Sequence, residues 1–302
     1  MAGAAGGLAV GAMIGWRRAA ARAAAGESIL AGSPLLIAHR GGAALAPENT
    51  LVAFERAVEV WGAEMIELDV HATADGHCVV IHDPTVDRTT DGTGAVSAMT
   101  LAELRRLDAG YRFTPDGGRS FPFRGLGIRI PTIEEVLEAL PTTRLTVEVK
   151  VGAAQDPLFA ALERAGATDR VLVAAESEGA RTRFGAYPGA VSLSARQMRR
   201  FYYLHRLRLD WAWAPRAVAA QIPETWNGRR VVTPELIRGL HRHGIAVHVW
   251  TVNEVDAMRR LLDWGVDGIV TDRPDLLGDL LAERLGRSYG PGRAVGPGAS
   301  LE

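Results

Sequence analysis

Residues 35–83 read LLIAHRGGAALAPENTLVAFERAVEVWGAEMIELDVHATADGHCVVIHD. Three runs in this stretch, LLIAHRG, MIELDVHAT and HCVVIHD, have the length and apolar content of strands. Between the first two, ENTLVAFERAVEVWG repeats its apolar residues at helical spacing and stops at Gly62. The turn ADG separates the second run from the third. Apolar strands alternating with helices belong to a parallel sheet covered by helices on its faces. Charge is normally excluded from such strands, yet these hold His39, Arg40, Glu67, Asp69 and His82.

The alternation continues down the chain. TIEEVLEAL and RLTVEVK follow as helix and strand, then DPLFAALERAG and RVLVAAE. AVSLSA reads as a strand, TPELIRGLHRHG as a helix and IAVHVWTVN as a strand; EVDAMRRLLDWG, DGIVTD and DLLGDLLAERLG complete the series. About eight strands of this kind predict an α/β fold, a closed (β/α)8 TIM barrel forming a single domain over residues 35–286. An open doubly wound sheet lacks support, because HRGGAALAPENT does not have the spacing of a dinucleotide-binding loop. HCVVIHD counts among the eight strands, so His39 and His82 are expected at the ends of neighbouring staves.

Strand residues alternate between faces, so Glu67, Asp69 and His71 share one side of their strand and Ile66, Leu68 and Val70 the other. In LTVEVK, Thr146, Glu148 and Lys150 share a side; in AVHVWTVN, His248 and Trp250 do. With the apolar faces against helices, Glu67, Asp69 and Glu148 converge at the barrel mouth, where active sites of this architecture lie. Converging carboxylates repel and require compensation. An all-oxygen set suits a hard divalent ion, Mg²⁺ or Ca²⁺; structural salt bridges to Arg40 and Lys150 are the other reading. A two-carboxylate glycosidase would need neither the histidines nor a cation. Histidine as a residue type has a pKa near neutrality, so a facing pair such as His39 and His82 suits general acid–base work, a structural role being the other reading. Arg40 and Lys150 suit a substrate with anionic oxygens, such as a phosphate ester.

Composition bounds the remaining choices. The chain has 302 residues, 47% of them apolar and 23% charged, and a formal net charge of −1. That balance argues against a nucleic-acid binder working by bulk electrostatics. The single cysteine, Cys78, lies in a strand-like run and reads as a small core residue. Residues 1–34 form a leader: 1–16 are uncharged and followed by Arg17 and Arg18, the pattern of a weak membrane anchor or of a helical leader, and a poor match to a signal peptide. A cytoplasmic location, or the cytoplasmic face of a membrane, follows from that reading. Residues 287–302 have the Gly/Pro content of a disordered tail. Residues 84–131 form a long insertion that reads as a lid, with Tyr111, Phe113, Phe121 and Phe123 as an apolar wall or as a separately folded cluster. Residues 195–230 interleave arginines with Phe201, Tyr202, Tyr203, Trp211 and Trp213. Their 195–216 part, with residues 1–18, suits a membrane surface; a barrel helix with a solvated basic face is the plainer reading.

Taken together, HRGG…PENTLVAFERA, IELDVHATADGHCVVIHDPTVDRTTDGTG, VEVK and VHVWTVN…GVDGIVTDRP resemble the glycerophosphodiester phosphodiesterase family over roughly residues 35–285. The resemblance implies a (β/α)8 barrel with one divalent cation beside two histidines. It implies Glu67, Asp69 and Glu148 as metal ligands, His39 and His82 as general acid and base, and Arg40 and Lys150 as phosphate-holding residues. Trp250 falls where the family has an aromatic near the substrate. Glu48 and Asn49 lie on PENT, with a pocket-edge role expected; helix capping is the other reading for Asn49. The activity implied is hydrolysis of glycerophosphodiesters such as glycerophosphocholine or glycerophosphoethanolamine to sn-glycerol 3-phosphate and an alcohol. One branch of the family acts instead as lysophospholipase D on lysophospholipids, releasing lysophosphatidic acid, and the basic-aromatic stretch resembles that branch. A non-catalytic membrane-binding module is the remaining alternative.

Overall fold

The computed structural model describes residues 29–213 and 215–287; the expectations for the leader up to residue 28 and for the tail from 288 lie outside them. The strands are β1 (Leu35–His39), β2 (Met65–Ala72), β3 (Cys78–Val80), β4 (Arg144–Val149), β5 (Val171–Ala174), β6 (Ala190–Val191), β7 (Ala219–Pro223), a hairpin of β8 (Thr225–Trp226) and β9 (Arg229–Arg230), β10 (Ala246–Trp250) and β11 (Gly268–Thr271). The helices are α1 (Leu51–Glu59), α2 (Leu101–Leu104), α3 (Ile133–Ala139), α4 (Gln155–Arg164), α5 (Ala195–Arg206), α6 (Pro234–His241), α7 (Val255–Asp263) and α8 (Pro274–Leu285).

Eight parallel strands run in the order β6-β5-β4-β2-β1-β11-β10-β7. The ring closes between its two ends, where Ser192 bridges Ala219 and the Leu193 N–H donates to the Ala219 carbonyl at 2.8 Å. This is the expected TIM barrel, with one stave reassigned. Cys78–Val80 pairs antiparallel with β2 instead of standing in the ring. Only residues 73–77 separate the two strands, far too little chain for a parallel crossover. The missing stave is Ala219–Pro223, a short run, AAQIP, in which Ile222 is the one branched residue and Pro223 ends the pattern. His39 and His82 therefore do not end neighbouring staves: His39 closes β1, and His82 follows the antiparallel β3.

Alternation sorts the side chains as anticipated. Leu35, Ile37, Met65, Leu172, Ala190, Ala219, Ala246 and Val270 pack with Ile29 as one cluster, which fills the barrel below its mouth. Leu36, Ala38, Ile66, Leu68, Val70, Val147 and Val149 belong to the larger core between strands and helices. α1 shows why the local sequence folds this way. Thr50 caps it by accepting from the Ala53 N–H at 3.3 Å, and Ala53, Phe54 and Ala57 turn into the core. Thr50, not Asn49, is thus the cap, which leaves the Asn49 side chain for other work.

The insertion at 84–131 folds around its own small core of Val86, Val96, Leu104, Ala109, Ile128 and Ile130, joined by Val79 and Ile81. Its aromatics gather around a cation: the Arg124 guanidinium lies 3.8 Å from the Phe121 ring centre and 4.1 Å from that of Tyr111. Phe113 and Phe123 pack edge to face at 5.3 Å. Among the described residues no helix is long and apolar enough to cross a membrane.

Candidate active site

The carboxyl ends of β1, β2, β4 and β10 and the segment after β3 carry the predicted site residues. Glu67, Asp69 and Glu148 offer oxygens that all lie within 4.8 Å of one another, a set able to hold a metal ion. Lys150 closes the group, its Nζ 2.9 Å from Asp69 Oδ1 and 3.0 Å from Glu148 Oε1. Arg40 enters from the turn after β1: its Nε lies 3.1 Å from Asp69 Oδ2, its NH1 3.0 Å from Glu48 Oε1, and its backbone N–H donates to Glu67 Oε2 at 3.2 Å. That reach requires an unusual backbone, with Arg40 at φ 50° followed by Gly41 at φ 86° and Gly42 at φ 91°. A Cβ on Gly41 would stand 2.7 Å from the Ala53 Cβ, so the turn can lie on α1 only as glycine.

Asn49 donates from Nδ2 to Asp69 Oδ2 at 3.0 Å and fixes the carboxylate from the side opposite Lys150. Glu48 accepts from two arginines, Arg40 and Arg88, and ties the insertion to the rim of the mouth through Arg88 NH1 at 2.6 Å. Trp250 stands at the end of β10 with 42% of its surface exposed.

The two histidines are held alike. His39 Nδ1 bonds Asp272 Oδ1 at 2.6 Å, and His82 Nδ1 bonds Asp83 Oδ1 at 2.6 Å. Donation of Nδ1–H to a carboxylate leaves Nε2 as the atom free to take or give a proton. His39 Nε2 lies 3.9 Å from Glu67 Oε2. The supporting carboxylates are themselves anchored. Asn253 Nδ2 donates to Asp272 Oδ2 at 2.8 Å, and Arg88 Nε donates to Asp83 Oδ2 at 2.6 Å. His71 turns its Nε2 to the His82 carbonyl at 3.0 Å.

Sequence reasoning did not assign roles to Asp272, Asp83, Arg88 or Asn253. Their signal is position: Asp272 follows β11 directly, Asp83 adjoins His82, and Asn253 lies just beyond β10, all at the carboxyl ends of strands or in the loops that follow. Which carboxylate reaches which histidine needed the fold.

Electrostatics fit a site built to bind positive charge. Burial and the neighbouring Asp69 push the Glu67 carboxyl up to about 8. Burial would raise Asp69 as well, but Lys150 and Arg40 outweigh it and hold its pKa below the ordinary value. Burial opposes the charge on Lys150, yet Asp69 and Glu148 keep its pKa raised. For His39, burial is outweighed by the Asp272 hydrogen bond and the charge of Glu67, and its pKa stands above the usual 6.5. The hydrogen bond from Arg88 brings Asp83 down to about 2.

The basic-aromatic stretch divides between the two ends of the barrel. β6 and β7 are adjacent parallel strands, so α5 must descend from the mouth to the opposite end, about 18 Å for its 12 residues. Arg196 and Arg199 accordingly stand near Glu148 and Lys150. Leu207, Leu209 and Trp211, exposed by 67%, 46% and 79%, lie at the far end, where Asp210 pairs with Arg242 ahead of β10. Trp213 is buried against Phe201 at 4.6 Å between ring centres.

Residues 39–276 match the model of the glycerophosphoryl diester phosphodiesterase family. A glycerophosphodiester phosphodiesterase of Caldanaerobacter subterraneus subsp. tengcongensis is 37% identical over 263 residues, covering 82% of this chain and 97% of its own. One of Bacillus subtilis is 30% identical over 262 residues, covering 80% and 84%. Among solved structures, a glycerophosphodiester phosphodiesterase of Agrobacterium tumefaciens superposes with a TM-score of 0.64 at 27% identity, covering 80% of this chain and 98% of its own. A glycerophosphoryl diester phosphodiesterase domain from Mycobacterium tuberculosis has a TM-score of 0.73 at 23% identity over 82% of this chain and 99% of its own, and bears on the fold alone.

Proposed function

We propose, for a chain that belongs to the glycerophosphoryl diester phosphodiesterase family, that it hydrolyses water-soluble glycerophosphodiesters to sn-glycerol 3-phosphate and an alcohol. Glycerophosphocholine and glycerophosphoethanolamine are substrates of the expected kind. The observation that carries this reading is the pair of carboxylate-held histidines, each bonded through Nδ1 at 2.6 Å, beside the acidic triad.

A phosphodiester resists attack because its own negative charge repels nucleophiles. Arg40 and Lys150 supply positive charge where the phosphoryl oxygens would sit, and both are already fixed by carboxylates, so little reorganisation is required. One histidine removes the proton from an attacking water as its oxygen bonds to phosphorus. The other donates a proton to the alcohol oxygen as the P–O bond breaks. Asp272 and Asp83 hold the two rings in the tautomer that leaves Nε2 able to perform these transfers. Glu48 and Asn49 act as positioning residues, Glu48 for Arg40 and Arg88, Asn49 for Asp69. Trp250 offers an apolar wall at the mouth.

Glu67, Asp69 and Glu148 fit a hard divalent cation, Mg²⁺ or Ca²⁺, by donor type and spacing. Glu67 strengthens the fit: it is buried, and among the described residues its one partner of opposite sign within 4 Å is His39 at 3.9 Å. When bound, such an ion would withdraw charge from the phosphoryl oxygens as a Lewis acid.

Lysophospholipase D action would require lipid to reach the mouth. The exposed apolar residues Leu207, Leu209 and Trp211 lie at the opposite end of the barrel, which supports a soluble diester as the substrate. The folded insertion, tied to the rim by Arg88 and Glu48, is the part of the chain suited to cover the mouth as a lid. The test is alcohol release from glycerophosphocholine and from lysophosphatidylcholine, measured side by side with Mg²⁺ or Ca²⁺ supplied. Faster turnover of the lysolipid would reverse the choice of substrate, and no release from either would overturn the reading.

A further inference from the structure

A cavity of about 350 Å³ opens beside the acidic triad. Its inner wall is Glu148 and Lys150; its outer walls are Glu176, Ser177 and Glu178 after β5, and Ala195, Arg196 and Arg199 on the first turns of α5. A diester has two arms. With its phosphoryl group against Arg40 and Lys150, an arm laid on the Glu148 side enters this cavity.

The walls carry both signs of charge without neutralising each other. Among the described residues, Arg196 and Arg199 form no ion pair, although Glu176 and Glu178 line the same space; Glu178 Oε1 instead accepts from Ser194 Oγ at 2.5 Å. The start of α5 adds to the positive side. Ser194 caps the Gln197 N–H at 3.2 Å, and the N–H groups of Ala195 and Arg196, at the first helical positions, have no intrahelical acceptor. The cavity thus offers two guanidinium groups and a helix N-terminus to an anion, and two carboxylates to a cation. Among the described residues no aromatic side chain lines it. A trimethylammonium group, which prefers aromatic faces and donates no hydrogen bond, would find little here.

We propose that this cavity holds the alcohol released by the reaction and selects one bearing both an ammonium and a carboxylate, the chemistry of a serine head group. This rests on the phosphodiesterase reading above, which places the phosphoryl group. The carboxylate of such an alcohol pairs with Arg196 and Arg199, and its ammonium with Glu176 and Glu178. Ethanolamine satisfies only the carboxylates, and choline satisfies neither side fully. Discrimination of this kind arises because an incomplete partner leaves cavity charges unpaired.

The experiment compares kcat/KM for glycerophosphoserine, glycerophosphoethanolamine, glycerophosphocholine and glycerophosphoglycerol, using the full chain with divalent cation supplied. The wild-type protein should prefer glycerophosphoserine to glycerophosphocholine by tenfold or more. In the double variant R196Q/R199Q the ratio between these two substrates should fall at least tenfold, and R196K/R199K should restore part of it. Glu176→Gln should lower the ratio of glycerophosphoethanolamine to glycerophosphoglycerol several-fold. Equal wild-type values for all four diesters, or ratios unmoved in the arginine variant, would overturn the assignment of the cavity and leave the phosphodiesterase reading intact. Failure to cleave any of the four would instead overturn that reading, and this inference with it.

Discussion

Replacing Asp272 by asparagine isolates what a carboxylate does for His39. Asp272 accepts twice, from His39 Nδ1 at 2.6 Å through Oδ1 and from Asn253 Nδ2 at 2.8 Å through Oδ2. An asparagine of the same shape has one oxygen and one amino group to divide between these neighbours. Asn253 presents a donor, because its own Oδ1 already accepts from the Asp272 N–H at 2.9 Å. The new side chain must therefore keep its oxygen toward Asn253 and turn its NH₂ toward the ring. Facing a donor, Nδ1 becomes an acceptor, and the proton of the neutral imidazole moves to Nε2. A ring in that state cannot take a proton at Nε2; as an acid it gives up a far less acidic proton than an imidazolium would. The equivalent change in carboxylate-oriented catalytic histidines lowers kcat by about 10⁴, or about 5 kcal/mol of barrier. We expect Asp272→Asn to lose about 10³–10⁴ in kcat for glycerophosphocholine, with KM changed less than fivefold and the thermal midpoint close to wild type. The assay is release of sn-glycerol 3-phosphate under saturating substrate. A kcat within tenfold of wild type would refute the orientation argument and with it the role assigned to His39.

Three further outcomes follow from the same geometry. Gly41→Ala places a Cβ 2.7 Å from the Ala53 Cβ and 2.8 Å from Phe54 Cδ1 at φ 86°; stability should fall by about 1–3 kcal/mol in urea unfolding and activity with it, so an unaltered midpoint would contradict the close packing of the HRGG turn on α1. His248 is fully buried within the barrel, and burial, assisted by Arg144 and opposed by Asp267, lowers its pKa from 6.5 to about 4. Because the unfolded chain takes up this proton first, stability should decline as pH falls from about 6.5 to about 4, by about 3 kcal/mol in total. His248→Gln should flatten that part of the profile, and an unchanged slope would remove His248 as its source. Finally, Mg²⁺ or Ca²⁺ added after chelation should raise the thermal midpoint, by about 2.7 kcal/mol of stability at a hundredfold excess over Kd, while Glu67→Gln should abolish most of that rise; equal stabilisation in the variant would exclude Glu67 as a ligand.

The barrel was legible because its staves obey two simple rules, apolar content and alternation. Glu67 and Asp69 could be placed on one face, with Ile66 and Leu68 on the other, from spacing alone, and the triad with Glu148 followed. Two elements escaped those rules. Ala219–Pro223 is a stave with a single branched residue, Ile222, too weak a strand signature to read, and its place is set by the neighbours β6 and β10. Cys78–Val80 has the signature but pairs antiparallel, because the short turn before it permits nothing else. The histidines were visible as residue types; their partners were not. Asp272 is 233 residues from His39 in the chain, and only closure of the ring, with β11 beside β1, brings them to 2.6 Å. The direction of α5 is a similar case. A basic and aromatic helix reads the same in either orientation, and parallel pairing on both sides of it decides that Arg196 and Arg199 stand at the mouth while Arg206, and Trp211 beyond the helix, stand at the far end.

The metal-assisted, two-histidine reaction is tested most directly by production of sn-glycerol 3-phosphate from glycerophosphocholine, followed by phosphorus NMR, for chelator-treated protein before and after Mg²⁺ or Ca²⁺ is restored, with His82→Ala alongside. Wild-type protein should yield product once the metal is restored and none before, and the folded variant should lose at least a hundredfold in turnover. Undiminished turnover by His82→Ala, or no product from the wild type with either ion, would contradict that reaction.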